Sequence, residues 1–333
     1  MKLKKKKKII SHILLNYFIL LFLAIPLSAN FSNPAYSGND LELKLDPEYP
    51  LANQTVSAQV ELYGLDIKRY EIIWSMDGVV KERGVGQKEF FFQTKNWGEN
   101  VLLTVQIKTT NNGLIEKSIY VTPTEVDLLW ETDTYTPPFY KGKAMNSSNA
   151  IINVVAIPNF VNKNGQKIDS EKLIYNWKED SKVKGKQSGY GKNIFSLEGP
   201  QTNRTKKVTV EVESLDGKLK AKKIIFLKTR SLEIVFYKQD PLLGTLYNKA
   251  LEDKYNLNNE EIKIKASPFF FSLRNEVEYK WTMNNQIIDN YTDEIIFRKP
   301  NKQTGLTNIK LKIQNMDSIL QFTDSNFLIK FEK

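Results

Sequence analysis

Hydrophobic and polar positions alternate along most of this chain, and the alternation recurs in three similar rounds. Leu41-Glu42-Leu43-Lys44-Leu45 puts leucine at every second position, the pattern of a strand with one buried and one wet face. Val126, Leu128 and Trp130 open a second round in the same way, and Leu232, Ile234 and Phe236 a third. An alternating second strand follows each time, through Val56, Ala58, Val60 and Leu62, then Ile152, Val154 and Ala156, then Ile262, Ile264 and Ala266. Each round next reaches a tryptophan: Trp74, Trp177 and Trp281 lie 103 and 104 residues apart. Polar pairs that tolerate positive φ come after it, Asp77-Gly78 in the first round and Asn284-Asn285 in the third, and these reverse a strand at little cost. Phe90 and Phe92, then Phe195, then Phe297 mark the following strand. The cleanest alternation comes at 101–107, 208–212 and 309–313, followed by turns at Asn111-Asn112-Gly113, Leu215-Asp216-Gly217 and Asn315-Met316-Asp317 and by a closing strand.

A repeat of roughly 100 residues with about seven short strands and turn signals between them predicts an all-β chain of three tandem Ig-like antiparallel β-sandwiches. The tryptophans are then core residues packed between the two sheets. The repeats place the units at 30–124, 125–229 and 230–333, with joins near Thr122-Pro123-Thr124 and Lys228-Thr229-Arg230. Short joins predict modules that touch end to end with limited bending. Two elements break the repeat. Residues 162–166 read as an extra loop. Leu246, Tyr247, Ala250, Leu251 and Tyr255 follow helical spacing and predict a short helix near 245–255 across one end of the third unit.

The chain opens with Lys2 and Lys4 to Lys8, continues through an apolar run at residues 9–27, and reaches Ser28-Ala29. This is the grammar of a signal peptide over 1–29 with cleavage after Ala29. The run is also long enough to span a bilayer, so an uncleaved membrane anchor is the alternative, and the only membrane contact expected is through 9–27. Either reading puts the body of the protein outside the cytoplasm, secreted or at the cell surface.

The net charge of +10 changes meaning once the leader is set aside. Beyond residue 29 the balance is 42 basic against 38 acidic side chains. No basic stripe with interleaved aromatics is present, which argues against nucleic-acid binding. There is no cysteine, so the sandwiches must hold together by their apolar cores alone. The single histidine, His12, lies in the leader. The body therefore lacks the residues of Ser-His-Asp and Cys-His catalysis and the usual ligands for zinc or copper, and no cofactor or metal is expected. A carboxylate-only hydrolase needs just two acids, and Glu125 with Asp127, Glu131 with Asp133, Glu179 with Asp180 and Glu260 with Glu261 are the available pairs.

Aromatic surface is the stronger lead. Tyr135-Thr136-Pro137-Pro138-Phe139-Tyr140 is dense in rings and proline, and Tyr135, Phe139 and Tyr140 are the candidate binding residues. In the triplets 90–92 and 269–271, alternation must send rings to opposite faces. Rings that leave their own sandwich serve either a neighbouring module or a partner.

The run Ile73-Trp74-Ser75-Met76-Asp77-Gly78, with Gly86, Phe90, Phe92, the strand at 101–107 and Asn112-Gly113, resembles bacterial PKD-type and related Ig-like domains. The resemblance covers nearly all of the chain after the leader. It implies extracellular β-sandwich modules for spacing, adhesion or assembly at a cell surface, and it carries over no catalytic residue. The expected function is a non-enzymatic exported surface protein, acting in adhesion or as an accessory of a pilus-like or secretion-associated assembly, with a protein or glycan partner. The alternative is a glycan-binding protein or a carboxylate-only hydrolase acting on cell-wall polysaccharide.

Overall fold

The computed structural model describes residues 37–332 apart from 110–112, 139, 202–203, 273–275 and 302. Asn111, Asn112 and Phe139 lie outside the described residues, as do the leader and any anchor.

The first sandwich contains β1 (Leu41–Asp46), β2 (Thr55–Leu62), β3 (Glu71–Met76), β4 (Val79–Val85), β5 (Glu89–Gln93), β6 (Val101–Lys108) and β7 (Leu114–Val121). They form a three-stranded sheet β1-β2-β5 facing a four-stranded sheet β4-β3-β6-β7, with every pairing antiparallel. The second sandwich contains β8 (Glu125–Thr132), β9 (Ile151–Asn159), β10 (Leu173–Glu179), β11 (Lys182–Val183), β12 (Gly189–Tyr190), β13 (Ile194–Glu198), β14 (Thr205–Ser214) and β15 (Lys220–Lys228). Its sheets, β13-β9-β8 and β11-β10-β14-β15 with β12 beside β10, repeat the arrangement.

The third contains β16 (Glu233–Asp240), β17 (Gly244–Ala250), β18 (Lys254–Leu257), β19 (Glu261–Phe269), β20 (Val277–Met283), β21 (Gln286–Ile287), β22 (Glu294–Arg298), β23 (Gly305–Asn315) and β24 (Phe322–Phe331). It keeps the same plan and adds one strand to each sheet: β17-β16-β19-β22 and β18-β24-β23-β20-β21. The helix expected near 245–255 is not there; the segment forms β17 and β18. Asp240 accepts the backbone N–H groups of Leu242 and Leu243 at 2.9 and 3.1 Å and Gly244 takes φ +76°, so the chain turns back along β16. Leu251 and Tyr255 then pack on the third core and β18 runs parallel to β24. Tertiary pairing partners override the helical spacing.

Three separate apolar clusters fill the sandwiches, each around a fully buried indole. The indole N–H cannot be left dry without a partner. Trp74 donates to the Gln87 carbonyl at 2.9 Å, Trp177 to Lys192 at 2.8 Å and Trp281 to Thr292 at 2.8 Å. The turn after each tryptophan repeats too. Asp77-Gly78, Asp180-Ser181 and Asn284-Asn285 all sit at positive φ, as two-residue I′ hairpins require. The first residue of each turn also accepts, through its side chain, the backbone N–H of Leu102, Lys207 or Asn308 at 2.9 Å, which ties the hairpin to the start of the next long strand.

The phenylalanines that mark this strand do not all occupy the same row of the repeat. Val60, Ala156 and Ala266 each donate a backbone hydrogen bond to the residue just after the indole's acceptor, Lys88, Asn193 and Asp293. Phe90 and Phe195 therefore correspond to Ile295, and Phe297 corresponds to Phe92. Phe90 and Phe195 stack on their tryptophans at centroid distances of 5.6 and 5.3 Å. In the third sandwich Phe236 from β16 meets Trp281 instead, at 5.9 Å and 43°. The stretch between tryptophan and phenylalanine strand changes length by two residues between copies, which preserves the buried face but shifts the row.

Antiparallel pairing fixes which connections share an end. The connections after β1, β8 and β16 and those leading into the long strands β6, β14 and β23 lie at one end of their sandwich, here the trailing end. The connections after β2, β9 and β19 and the hairpins β6-β7, β14-β15 and β23-β24 lie at the other, the leading end.

Candidate interaction surfaces

The aromatic segment begins where β8 ends, at the trailing end of the second sandwich. The Asp133 carboxylate accepts the Ile151 N–H at 2.8 Å within its own module and the Ser272 hydroxyl of the third at 3.0 Å. Thr134 forms an antiparallel bridge with Ser272. Tyr135 donates its N–H to the Phe271 carbonyl at 2.7 Å, and its own carbonyl accepts from Phe270 at 2.8 Å. Phe270 takes φ +67° to reach this position, a conformation bulky residues rarely adopt. Tyr140 packs edge-on against Phe269 and Phe270, at 5.4 and 6.4 Å. Tyr135 and Tyr140 are thus brought together on the third sandwich, and burial raises the Tyr135 phenol pKa. All of Phe269, Phe270 and Phe271 are buried, whereas Phe91 in the first triplet points into solvent.

A polar network beside these rings was not legible as such. Asn315 and Gln321 are fully buried in the last hairpin of the third sandwich. Asn315 accepts the N–H groups of Asp317 and Ser318 at 3.0 and 3.1 Å and donates to Gln321 Oε1 at 3.0 Å. Gln321 Oε1 also accepts the Ser272 N–H at 3.1 Å, and its Nε2 donates to the Ser148 carbonyl at 2.6 Å. Asn149 donates to Ser318 Oγ at 3.0 Å. The sequence signal was Asn315 as a turn residue, with no hint that the turn was covered.

The first junction uses corresponding loops with less material. Thr124, buried in the join, donates its N–H to the Pro50 carbonyl at 3.2 Å and its hydroxyl to the Lys220 carbonyl. Glu48 faces Lys222 at 3.7 Å. Burial, reinforced by hydrogen bonding to Glu48, pushes the Tyr49 phenol up to about 12. Gly98 takes φ +80°, and a Cβ there would lie 2.9 Å from the Asn162 carbonyl oxygen and 3.0 Å from Val161 Cγ1. The loop at 162–166, closed by an Asn162–Gln166 backbone pair at 2.9 Å, therefore sits against the first sandwich. An open groove of about 560 Å³ lies beside this contact, lined by Asn100, Asn162, Lys172, Leu215 and Leu219 among others.

Six of the eight candidate carboxylates make side-chain contacts within or between the modules. Asp180 is the hairpin residue that accepts from Lys207. Glu179 is held by Lys184 at 2.6 Å and Lys206 at 2.7 Å; burial alone would raise its pKa, but the two ammonium groups outweigh it and the net shift is downward. Asp127 pairs with Lys223 at 3.4 Å, Glu131 accepts from Asn153 at 3.5 Å, and Glu261 pairs with Arg298 at 2.8 Å. A general acid needs a pKa raised toward neutrality, and Glu179 is shifted the other way. Among the described residues, no group of three or more His, Asp or Glu side chains is gathered to hold a metal ion.

No family model matches the chain, and no curated protein matches it in sequence. Solved structures do match at low identity. The three N-terminal domains of the bacteriophage RB49 Highly Immunogenic Outer Capsid protein (Hoc) align over 88% of this chain and 98% of their own, at 12% identity and a TM-score of 0.26. The central fibronectin-III array of RIM-binding protein aligns over 86% and 95%, at 10% identity and 0.29. The Clostridium thermocellum CbhA fibronectin(III)-like modules align over 61% and 94%, at 10% identity and 0.21. Superpositions this loose say nothing of what the chain does, and the Ig-like fold follows from its own strand order and pairing.

Proposed function

We propose that this is a non-enzymatic exported protein whose tandem Ig-like modules act by binding at a cell surface, in adhesion or as an accessory of a surface assembly. The observation that carries the reading is where the chain's polar and aromatic side chains are used. The ring of Tyr140, the backbone of Tyr135, the Gln321 amide held by Asn315 and the carboxylate of Asp133 all fasten one module to the next. That is the design of a spacer that presents loops and edges at fixed separation. Of the candidate catalytic acids, Asp180 serves a turn and Glu179 and Glu261 serve ion pairs. The lysine-rich start, the apolar run at 9–27 and the small residues before position 30 support export.

Two measurements test this. Protease added to intact producing cells should cleave the body of the protein while a cytoplasmic control survives; protection of both would sink the exported reading. The protein incubated with cell-wall polysaccharide should release no reducing ends. Turnover that is lost on Glu179→Gln or Glu261→Gln would replace the binding role with a hydrolytic one.

A further inference from the structure

The two junctions place different amounts of chain in the same position. At the second, residues 146–150 are wedged between the connection leading into β14 and the hairpin β23-β24 of the next sandwich. Gly199, on the first of these walls, donates its N–H to the Ala150 carbonyl at 2.6 Å. From the hairpin, Gln321 donates to the Ser148 carbonyl at 2.6 Å, and Ser318 Oγ accepts from Asn149 at 3.0 Å. Asn146, Ser147 and Ala150 are fully buried there. The position between these two walls is therefore one that holds a short stretch of polypeptide, with side-chain amides serving its backbone.

At the first junction the corresponding walls are residues 98–100 and the hairpin β14-β15. The connection after β1, residues 47–54, is far shorter than 133–150 and is directed instead at Thr124 and Lys222. Between the walls lies the groove of about 560 Å³, within the size range of sites that take small ligands. Leu215 and Leu219 give it an apolar side, and Asn100 and Asn164 contribute amides. Its charge is basic. Lys218 is paired with Asp216 at 3.4 Å. Lys163 and Lys172 also line the groove, are exposed, and enter no ion pair among the described residues.

We infer that this groove holds an extended acidic peptide segment of a partner protein, in the position that residues 146–150 take at the second junction. Carboxylates of the segment meet Lys163 and Lys172, and an apolar side chain rests on Leu215 and Leu219. Asn100 and Asn164 serve its backbone as Gln321 serves Ser148. Asn100 belongs to the first sandwich and the lysines to the second, so a seated segment bridges the two modules. The inference rests on the binding role proposed above and names the chemistry of the partner. Purified protein tests it, so its outcome is independent of whether the protein is exported.

The probe is the fluorescein-labelled peptide Asp-Ser-Leu-Ser-Asp, whose acidic and leucine side chains share one face when extended. Its binding to the full-length protein, kept in mild detergent because of the apolar run at 9–27, is read by fluorescence anisotropy. Saturable binding is expected, at least about tenfold tighter than that of the labelled neutral peptide Asn-Ser-Leu-Ser-Asn. Lys163→Glu with Lys172→Glu should weaken it about tenfold or more at unchanged melting temperature. Absence of saturable binding, equal binding of the neutral peptide, or affinity unmoved by the two lysine changes would overturn the inference. Tighter binding of tetragalacturonate, an anionic sugar chain, than of the acidic peptide would overturn it equally and assign the groove to a glycan.

Discussion

The two junctions of this chain use the same loops of the same repeated fold, yet they differ in how firmly those loops fix orientation. At the second, a backbone bridge, two edge-on ring contacts and a buried Asn315–Gln321 network span the modules. At the first, one buried threonine, a close approach at Gly98 and an exposed ion pair do so. Buried amides are costly to leave unpaired, so any rotation at the second junction must break several partnered groups at once. An exposed ion pair contributes about 0–1 kcal/mol and can be replaced by water. A short join is therefore a poor guide to stiffness. Both joins are short, but the chemistry of residues far from them, at 133–150 and 315–321, decides which module pair moves as one body.

The largest expected effect comes from emptying a core. Trp177→Ala removes the second indole and should cost about 3–5 kcal/mol. If the second and third sandwiches are coupled, calorimetry should show both melting earlier while the first keeps its transition. A loss confined to the second module would break the comparison. Next is Gln321→Ala, which leaves the Ser272 N–H, the Ser148 carbonyl and the Asn315 amide without their shared partner. A loss of about 1–3 kcal/mol is expected, with the joint transition of the last two modules splitting into two.

Gly98→Ala sharpens the other side. A Cβ at φ +80° and 2.9 Å from the Asn162 oxygen should cost about 1–2 kcal/mol. Its effect should appear in the first transition, with the coupled pair unmoved. Acid should act locally and more weakly. Glu179 and Glu211 in the second sandwich both titrate below the ordinary glutamate value near 4.5, because lysine contacts outweigh burial. Their contribution is full above that value and is lost as pH falls through the lowered folded pKa. The second module's transition should therefore drop more steeply below about pH 4.5 than in a Glu179→Gln, Glu211→Gln variant. Smallest is Glu48→Gln, whose partner lies at 3.7 Å with both side chains wet; no shift above about 0.5 kcal/mol is expected.

The strands and the three indoles could be read from the chain because their period of two is written in every round. The I′ turns at 77–78 and 284–285 were legible from Asp-Gly and Asn-Asn. The one at Asp180-Ser181 was hidden, because Glu179 beside it gave the look of an acid pair. Helical spacing at 246–255 misled because the same residues, extended, reach both sheet edges of the third sandwich. Which phenylalanines share a row could not be read by counting from the tryptophan, because the intervening turn changes length by two residues between copies. The aromatic segment at 135–140 was recognised as surface-seeking, but its destination on Phe269 and Phe270 depends on the neighbouring module. No periodicity within either segment records that contact.

Residual dipolar couplings measured across all three modules in one weakly aligned sample test the central comparison most directly. The account predicts that the second and third sandwiches share a single alignment tensor while the first requires its own. Separate tensors for the second and third, or one tensor for all three, would contradict it.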